Sequence, residues 1–287
     1  MTAGGAAMLT PNEARAVVLA VDEKTAVQSA PAHLAFGRAL AADVDAALGL
    51  VDGATLTPPR LALLAERRLE PIPTHPPAGV GLVTIDPEFD GEAKTPAAAA
   101  AGLAAAINRA GQIPVDVGST PPDDELHAAA LGRIFEMAEI ACTLGARPGD
   151  AAMVAARLGG EVKFAGVAQT PGGELAFAAL DDGWWFGLPA APGEALVCFE
   201  FYVRPLARKL AGHRDFDLPT LEAPFAAPPP ASDGWRLAWA KIIRGAAPMV
   251  QILTGGSNPL AIAAQADGLV LLPPGAAPER ATLHVTK

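Results

Sequence analysis

Two loops rich in glycine and proline hold the backbone groups of this chain that could bind an anion. The first is Thr143-Leu-Gly-Ala-Arg-Pro-Gly-Asp150 and the second is Gly187-Leu-Pro-Ala-Ala-Pro-Gly-Glu194. Each follows a short apolar run and opens a helical pattern, and free backbone N–H groups at such a junction favour an anionic ligand. Both loops carry few of the polar side chains that an anion site normally uses.

A third loop, Thr170-Pro-Gly-Gly-Glu-Leu175, follows an apolar run over Val162–Val167 that is typical of a strand. Loops at the ends of consecutive strands converge on one edge of a sheet, which is where open α/β sheets bind ligands. A ligand site and ordinary turn geometry are both consistent with these three loops.

Several other chemistries are excluded by their motifs. No lysine follows a glycine, so the chain has no P-loop. The first strand of the α/β pattern, Val80–Ile85, runs into Asp86 without the G-x-G-x-x-G of dinucleotide sites, and no G-x-S-x-G elbow occurs. The five histidines are scattered without i, i+4 pairing, so no metal site is predicted and they are interpreted as surface or helix-end residues.

Composition narrows the class of protein. With 287 residues and 51% hydrophobic composition, the chain can bury a sizeable core. Its net charge of −10 argues against a nucleic-acid partner, because such binding relies on clustered lysine and arginine. Cys142 and Cys198 lie in apolar runs and are expected to be buried thiols. With no recognisable signal or membrane span, we expect a soluble cytoplasmic protein, and the abundant alanine, glycine and proline suggest a bacterial source.

Residues 1–77 are predicted to form an N-terminal helical segment and a connector. Thr10 and Glu13 have the spacing of a capping box, which predicts a helix over Pro11–Val21. A second helix is expected over Ala30–Asp43, and a short one over Arg60–Arg68 within a stretch rich in proline and threonine.

Strands and helices alternate through residues 78–213. The predicted strands are Val80–Ile85, Ile113–Val117, Ile140–Thr143 and Val162–Val167, and the predicted helices are Pro96–Ala110 with Thr95 as its cap, Pro122–Met137 and Asp150–Leu158. This order predicts an α/β fold with a doubly wound, mostly parallel sheet that helices cover on both faces.

After Val167 the alternation of single strands and helices ends. Asp182-Gly183 predicts the turn of a hairpin over residues 175–188, and a helix over Gly193–Leu210 should be interrupted at Pro205. Residues 214–234 are predicted to be a proline-rich linker, extended over Pro219–Asp233. Short apolar runs over residues 235–287 predict a small C-terminal β domain.

The ordered motifs at residues 143–150, 158–168, 171–172, 187–192 and 199–205 resemble those of the molybdopterin molybdenumtransferases, the proteins related to the gephyrin E domain. The resemblance spans roughly residues 78–287. It implies a domain that binds molybdopterin, a C-terminal β-barrel and a homodimer. It also implies hydrolysis of an adenylylated pterin in the presence of molybdate, and a molybdoenzyme or another protein of the cofactor pathway as a partner.

The resemblance also implies which residues bind the cofactor. They belong to the three loops and are Gly145, Arg147, Gly149, Asp150, Pro171, Gly172, Pro189 and Pro192. Arg147 and the backbone N–H groups of Gly149 and Asp150 would be the remaining anion contacts. Asp150 is the one candidate for a catalytic residue, and no metal ligand is assigned.

Several residues that would bind an anion or Mg²⁺ in the family pattern are replaced in this chain. In the first loop, a glycine, a serine and a second aspartate are usual where this chain has Leu144, Arg147 and Ala152. In the third loop, two lysines are replaced by Thr170 and Gly173. In the second loop, polar or neutral residues are replaced by Ala190, Ala191 and Glu194. Loss of lysines disfavours an anion, and loss of a carboxylate disfavours Mg²⁺. Molybdopterin is thus a ligand that the resemblance alone implies, whereas the replaced residues argue against Mg²⁺ and molybdate.

Three functions stay open. The leading interpretation is a shortened relative with impaired catalysis, a pseudoenzyme that takes part in molybdenum cofactor biosynthesis or handling. The alternatives are an active molybdenumtransferase with altered residues and a non-catalytic assembly or chaperone protein for a molybdoenzyme.

Overall fold

A three-stranded antiparallel sheet forms the first part of the chain, in a computed structural model that describes residues 8–88, 98–255, 259–276 and 278–286. Its elements are α1 (Pro11–Leu19), β1 (Gln28–Ala30), α2 (Ala32–Ala35), β2 (Ala39–Leu40), α3 (Pro58–Glu66) and β3 (Ile72–His75). The strand order is β1-β3-β2. The predicted capping box between Thr10 and Glu13 is present at the start of α1.

The predicted helix over Ala30–Asp43 is wrong for most of its length. Only α2 is helical, because Gly37 adopts a φ of +79° and the chain then extends. Leu40 pairs with Thr74 of β3, and its buried side chain packs into the small core of this part. Strand pairing and burial therefore override the helical propensity of the alanines in this segment.

A six-stranded sheet with helices on both faces forms the centre of the chain. Its elements are β4 (Gly79–Ile85), α4 (Ala98–Arg109), β5 (Ile113–Thr120), α5 (Asp124–Phe135), β6 (Ile140–Leu144), α6 (Asp150–Leu158), β7 (Gly160–Ala165), the short β8 (Gln169–Thr170), β9 (Ala176–Leu180) and β10 (Gly183–Leu188). The order is β5-β4-β6-β10-β9-β7, and the first four of these strands are parallel. The predicted mostly parallel α/β sheet is confirmed. Thr95, the predicted cap of α4, lies outside the described residues.

The two faces of the sheet bury separate cores. On one face, Leu82 and Phe186 pack with α4 and with the long helix that follows β10. On the other, Val83 and Trp185 pack with Ile134 of α5 and with α6. Both faces are therefore covered, which is what the near-continuous apolar runs of the parallel strands require.

The predicted hairpin around Asp182-Gly183 is confirmed as the antiparallel pair β9 and β10. β9 also pairs antiparallel with β7, which places β7 at the edge of the sheet, separated from β6 by two strands. The expectation that the loop-bearing strands are consecutive is therefore wrong. Two antiparallel pairings in a row restore the direction, so β7 still runs the same way as β6 and β10.

The long helix after β10 is interrupted, as predicted, near Pro205. It consists of α7 (Pro192–Cys198), five π-helical residues (Phe199–Val203) and α8 (Arg204–Leu210). A proline has no N–H to donate to the preceding turn, and a π-helical segment directly before it accommodates that loss.

The last part of the chain forms a second six-stranded sheet. Its elements are β11 (Thr220–Pro224), β12 (Trp235–Ile243), β13 (Met249–Ile252), α9 (Pro259–Gln265), β14 (Gly268–Leu272) and β15 (Arg280–Val285), in the order β11-β15-β14-β12-β13, and β8 pairs parallel with β12. β11 lies inside the predicted linker and pairs with β15, so the linker prediction is wrong at its start. Phe225 and Val250 form one parallel bridge between the two edges of this sheet.

The close approach of β4 to α5 generates a stability prediction. A Cβ at Gly81 would overlap Ile134 Cγ2, which is fully buried, whereas a Cβ at Gly132 of α5 would meet no atom within 4 Å. Gly81→Ala should therefore destabilise the protein by about 1–3 kcal/mol through overpacking. The matched Gly132→Ala should stabilise it by up to about 1 kcal/mol, because alanine loses less entropy in a helix.

Urea unfolding of both variants checks this. Equal destabilisation by the two substitutions would contradict the packing described here.

His213 joins the N-terminal part of the chain to α8. The buried ring hydrogen-bonds through Nδ1 to Thr55 Oγ1 at 2.9 Å, and the next residue, Arg214, donates its N–H to Gly53 O at 2.8 Å. Burial, followed by the positive charges of Arg208 and Arg204, lowers the pKa of His213 to about 3. The ring is therefore neutral in the folded protein at pH 7.

This neutral ring predicts acid sensitivity. Below its ordinary pKa of about 6.5 the unfolded chain binds a proton that the folded chain does not, so stability falls as the pH falls from about 6.5 toward 3. Between pH 7 and 5.5 this histidine should remove about 1 kcal/mol of unfolding free energy. His213→Gln should flatten that slope in urea titrations, and the matched surface variant His33→Gln should leave it unchanged. An unchanged slope in His213→Gln would contradict the assignment.

Candidate functional site

The three predicted loops lie at one edge of the central sheet, where β6, β10 and β7 end. Gly145 and Ala146 donate their N–H groups to Leu188 O at 3.0 and 3.2 Å, which joins the first two loops. A Cβ at Gly187 would lie 2.9 Å from Ala146 Cβ and 2.7 Å from Trp185, so only glycine allows this approach. The backbone N–H groups of Gly145 and Ala146 are thus already used inside the protein.

A cavity of about 260 Å³ opens between the start of α6, the end of β7 and the start of β9. It is lined by Ala146, Arg147, Pro148, Gly149, Ala151, Ala165, Gly166, Glu174 and Ala176. The first and third loops therefore meet in one depression, whose walls are mostly small apolar residues.

Arg147 is held by a closed network at the mouth of this cavity. Its Nη2 lies 2.9 Å from both Asp150 Oδ1 and Asp124 Oδ1, and its Nη1 donates to Pro122 O at 3.0 Å. Asp150 also accepts the Arg147 backbone N–H at 2.8 Å, and its side chain is only 5% exposed. The hydrogen bond with Asp150 is the main reason why the pKa of Arg147 is raised. The guanidinium is thus compensated within the protein.

Two of the predicted anion contacts therefore have partners already. The Asp150 N–H donates to Arg147 O at 3.1 Å, which closes the turn before α6. Glu174 lines the same cavity, and no described residue forms an ion pair or hydrogen bond with its side chain. The uncompensated charge in this cavity is consequently negative.

The Pro171-Gly172 turn belongs to a different environment. Pro171 lines a second cavity of about 190 Å³ together with Trp239 and other residues of the C-terminal sheet. Gly172 is buried, and it donates its N–H to Glu194 Oε2 at 3.2 Å. The carboxylate of Glu194 thus has a structural partner, the turn that follows β8.

Pro189 and Pro192 line neither of these two cavities. Pro189 is buried directly after β10, and Pro192 begins α7. Together with Gly145 they shape the backbone at the edge of the sheet. Among the predicted residues, Arg147 and Gly149 thus line one cavity, Asp150 contacts Arg147 beside it, and Pro171 lines another.

A buried polar cluster beneath the first loop was missed by the sequence reading, which placed the histidines at surfaces or helix ends. His127 Nε2 lies 2.8 Å from Thr143 Oγ1, which also accepts Trp185 Nε1–H at 2.9 Å. His127 is fully buried, and burial lowers its pKa. The available signal was its spacing with Leu131 and Ile134 on the apolar face of α5, because positions i, i+4 and i+7 share one side of a helix.

Within the part of the chain that the structure describes, no three histidine, cysteine, aspartate or glutamate residues are grouped so that they could hold a metal ion. In the same ranges, no helix combines the length and apolar character that crossing a membrane would require.

Known proteins resemble this chain in structure but not in sequence. No family model matches the sequence. No curated protein matches it either. Solved structures do match: a molybdopterin biosynthesis MoeA protein from Pyrococcus horikoshii aligns with a TM-score of 0.79 at 16% identity, covering 98% of this chain and 99% of that chain. A molybdenum cofactor biosynthesis protein from Pyrococcus furiosus aligns with a TM-score of 0.75 at 19% identity, covering 96% and 99%.

The fold is that of the MoeA proteins. A further MoeA structure, from Pyrococcus horikoshii OT3, agrees, with a TM-score of 0.74 at 14% identity over 96% of this chain and all of that one. The resemblance to molybdopterin molybdenumtransferases that the ordered motifs indicate is confirmed at the level of the fold.

The Arg147 network at the edge of the MoeA-like sheet predicts unequal roles for its two aspartates. Asp150→Ala removes a buried carboxylate that accepts several charged hydrogen bonds and should cost about 2–3 kcal/mol. Asp124→Ala removes a half-exposed partner of the same guanidinium and should cost no more than about 1 kcal/mol. Urea unfolding at pH 7 measures both. Similar losses would show that the network is a surface ion pair.

Proposed function

We propose that this chain is a non-catalytic protein of molybdenum cofactor biosynthesis or handling, built on the scaffold of a molybdopterin-binding domain. The fold supports the pathway, since the structures it matches are described as molybdenum cofactor or molybdopterin biosynthesis proteins. The observation that carries the loss of catalysis is the compensated Arg147, held by Asp150 and Asp124 while Glu174 faces the cavity.

The residues around this cavity do not fit an anionic, phosphate-bearing pterin. A phosphate is bound most strongly by charge-assisted hydrogen bonds from free cationic groups. Here the lining cation is paired and the unpaired lining charge is a carboxylate.

The third loop also disfavours restoration of a lysine. A Cβ at Gly173, where the family pattern has a lysine, would lie 2.9 Å from Gln169 O and 3.3 Å from Val167 O. Side chains with a Cβ would thus force the backbone of this turn to move. The local geometry of this turn therefore disfavours a lysine in place of Gly173.

A homodimer and a partner from the cofactor pathway belong to the same proposal. Large apolar side chains are exposed in the N-terminal part, namely Val27, Leu34, Phe36 and Leu48. Exposed apolar side chains of this size favour a protein contact. A cytoplasmic location is also proposed, and the two free, buried cysteines support it.

A reconstitution assay tests the proposal. The full chain is incubated with adenylylated molybdopterin, molybdate and Mg²⁺, and AMP is measured. We expect no release above the protein-free control, because the cavity lacks free cations and grouped carboxylates. Release of AMP that requires both molybdate and Mg²⁺ would establish the active molybdenumtransferase instead.

Calorimetry with molybdopterin tests whether the negative charge of Glu174 opposes binding of this anion. Glu174→Lys reverses the unpaired charge of the cavity and should tighten binding by about tenfold, since a charged hydrogen bond contributes about 1.5–3 kcal/mol. The matched variant Glu136→Lys changes an exposed residue outside the lining and should leave affinity within about twofold. Tight binding by the unaltered protein, or equal effects of the two variants, would contradict the misfit.

A further inference from the structure

A third cavity, of about 530 Å³, lies beside α8 and shares no lining residue with the candidate site. Its walls are Arg204, Arg208, Arg214, Asp215, Phe216, Asp217, Leu218, Pro219 and Thr220. The volume falls within the range of about 300–1,000 Å³ that small-molecule sites occupy. Three arginines in one lining are unusual for a chain whose net charge is −10.

The local fold explains why these arginines meet. Arg204 and Arg208 are four residues apart on α8, so they lie on the same face of the helix. The chain turns back after Leu210, where Gly212 adopts a φ of +75° and donates its N–H to Lys209 O at 2.9 Å. Arg214 and the residues that follow it then form the opposite wall.

Neutral main-chain oxygens hold the two helical arginines in place. Arg208 donates from Nη1 to Ala110 O at 3.2 Å and from Nη2 to Asp215 O at 3.1 Å, and Arg204 donates from Nη1 to Phe216 O at 3.4 Å. Such acceptors fix a guanidinium without neutralising its charge. The Arg208 Nε is buried and has no hydrogen-bond partner.

Three carboxylates lie near the cavity, and Asp215, which is exposed and belongs to the lining, forms no ion pair with a described residue. Glu200 hydrogen-bonds to Arg109 and lies 3.9 Å from Arg204, while Asp217 pairs with Arg15. Among the described residues, none forms an ion pair or a hydrogen bond with the Arg214 guanidinium. The lining thus holds three arginines against two aspartates, and one of these aspartates, Asp217, is already paired with Arg15 outside the lining.

Neighbouring arginines contribute to the pKa shifts of two groups beside the cavity. Burial lowers the pKa of Arg204 to about 10 against the opposing effect of Glu200, and Arg208 and Arg109 lower it further. The neighbouring His213 is kept neutral by burial and by the same arginines. Burial is the main cause of both shifts, and in both the neighbouring arginines add to its effect.

We propose that this cavity binds a phosphate group, as inorganic phosphate or as the phosphate of a small monoester. Guanidinium groups bind phosphate oxygens through paired, planar hydrogen bonds, and a preorganised arginine loses little freedom on binding. The unpaired Arg214 would contact the anion from the open side, and Arg204 and Arg208 would provide the fixed inner wall. The volume leaves room for the organic part of a monoester.

Calorimetry on the full chain tests the proposal, with inorganic phosphate and glycerol 3-phosphate as separate probes at constant ionic strength. Arg214→Ala should weaken binding of both probes by about tenfold, since it removes charge-assisted hydrogen bonds. Arg133→Ala makes the same change of charge on the exposed surface of α5, outside the lining, and should have no effect. Asp215→Asn should tighten binding severalfold, because it removes a negative charge and keeps the main-chain acceptor.

Circular dichroism and the Tm of each variant establish that it is folded. Stronger binding of glycerol 3-phosphate than of phosphate assigns a monoester, and equal binding assigns recognition of the phosphate alone. The proposal is overturned if the folded protein gives no heat with either probe. It is also overturned if Arg214→Ala and Arg133→Ala weaken binding equally, because binding would then reflect only the overall charge.

Discussion

The parallel pairing of β6 with β10 is the constraint on which the edge of the central sheet depends. The pairing runs from Ile140 opposite Trp184 to Leu144 opposite Leu188, so both strands end at the same level. Because the strands are buried on both faces, a shift in register would move Trp185 and Phe186 out of their separate cores. The two loops that follow are held together by the hydrogen bonds to Leu188 O and by the side-chain-free backbone of Gly187. Their geometry is thus fixed by packing and requires no ligand.

Charge is distributed unevenly over this scaffold. At the sheet edge, the arginine of the first loop is matched by a buried and an exposed aspartate, and the surrounding wall is made of alanine, glycine and proline. Beside α8, arginines are instead supported by main-chain carbonyls and keep their charge. The same residue type therefore serves as a structural tie in one place and as a source of positive potential in the other. The difference lies in the groups that each arginine contacts, and the tertiary structure determines which groups those are.

Sequence reasoning succeeded where local signals and burial agree. The capping box at Thr10 and the helix Asp150–Leu158 follow from residues close together in the chain, and the alternation of apolar runs and helical patterns was enough for the mostly parallel sheet. It failed where a strand forms only because it pairs with a segment far away in the sequence. Leu40 of β2 pairs with Thr74 of β3, and the proline-rich segment that forms β11 pairs with β15. The ion pairs of Arg147 were also out of reach, since Asp124 and Pro122 approach it only through the packing of α5 against α6. Whether the residues assigned by resemblance bind a cofactor stays a prediction.

The parallel pairing of β8 with β12 gives the turn at Pro171 two attachments. Gln169 and Thr170 are hydrogen-bonded in register with Trp235 and Arg236 of the C-terminal sheet, while Gly172 is tied through Glu194 to the first turn of α7. The turn therefore connects the two sheets, which also share buried side chains, since Leu237 of β12 and Leu269 of β14 pack into the core on one face of the central sheet. Any rotation of the C-terminal sheet would pull on the start of α7 and hence on the backbone next to the sheet edge.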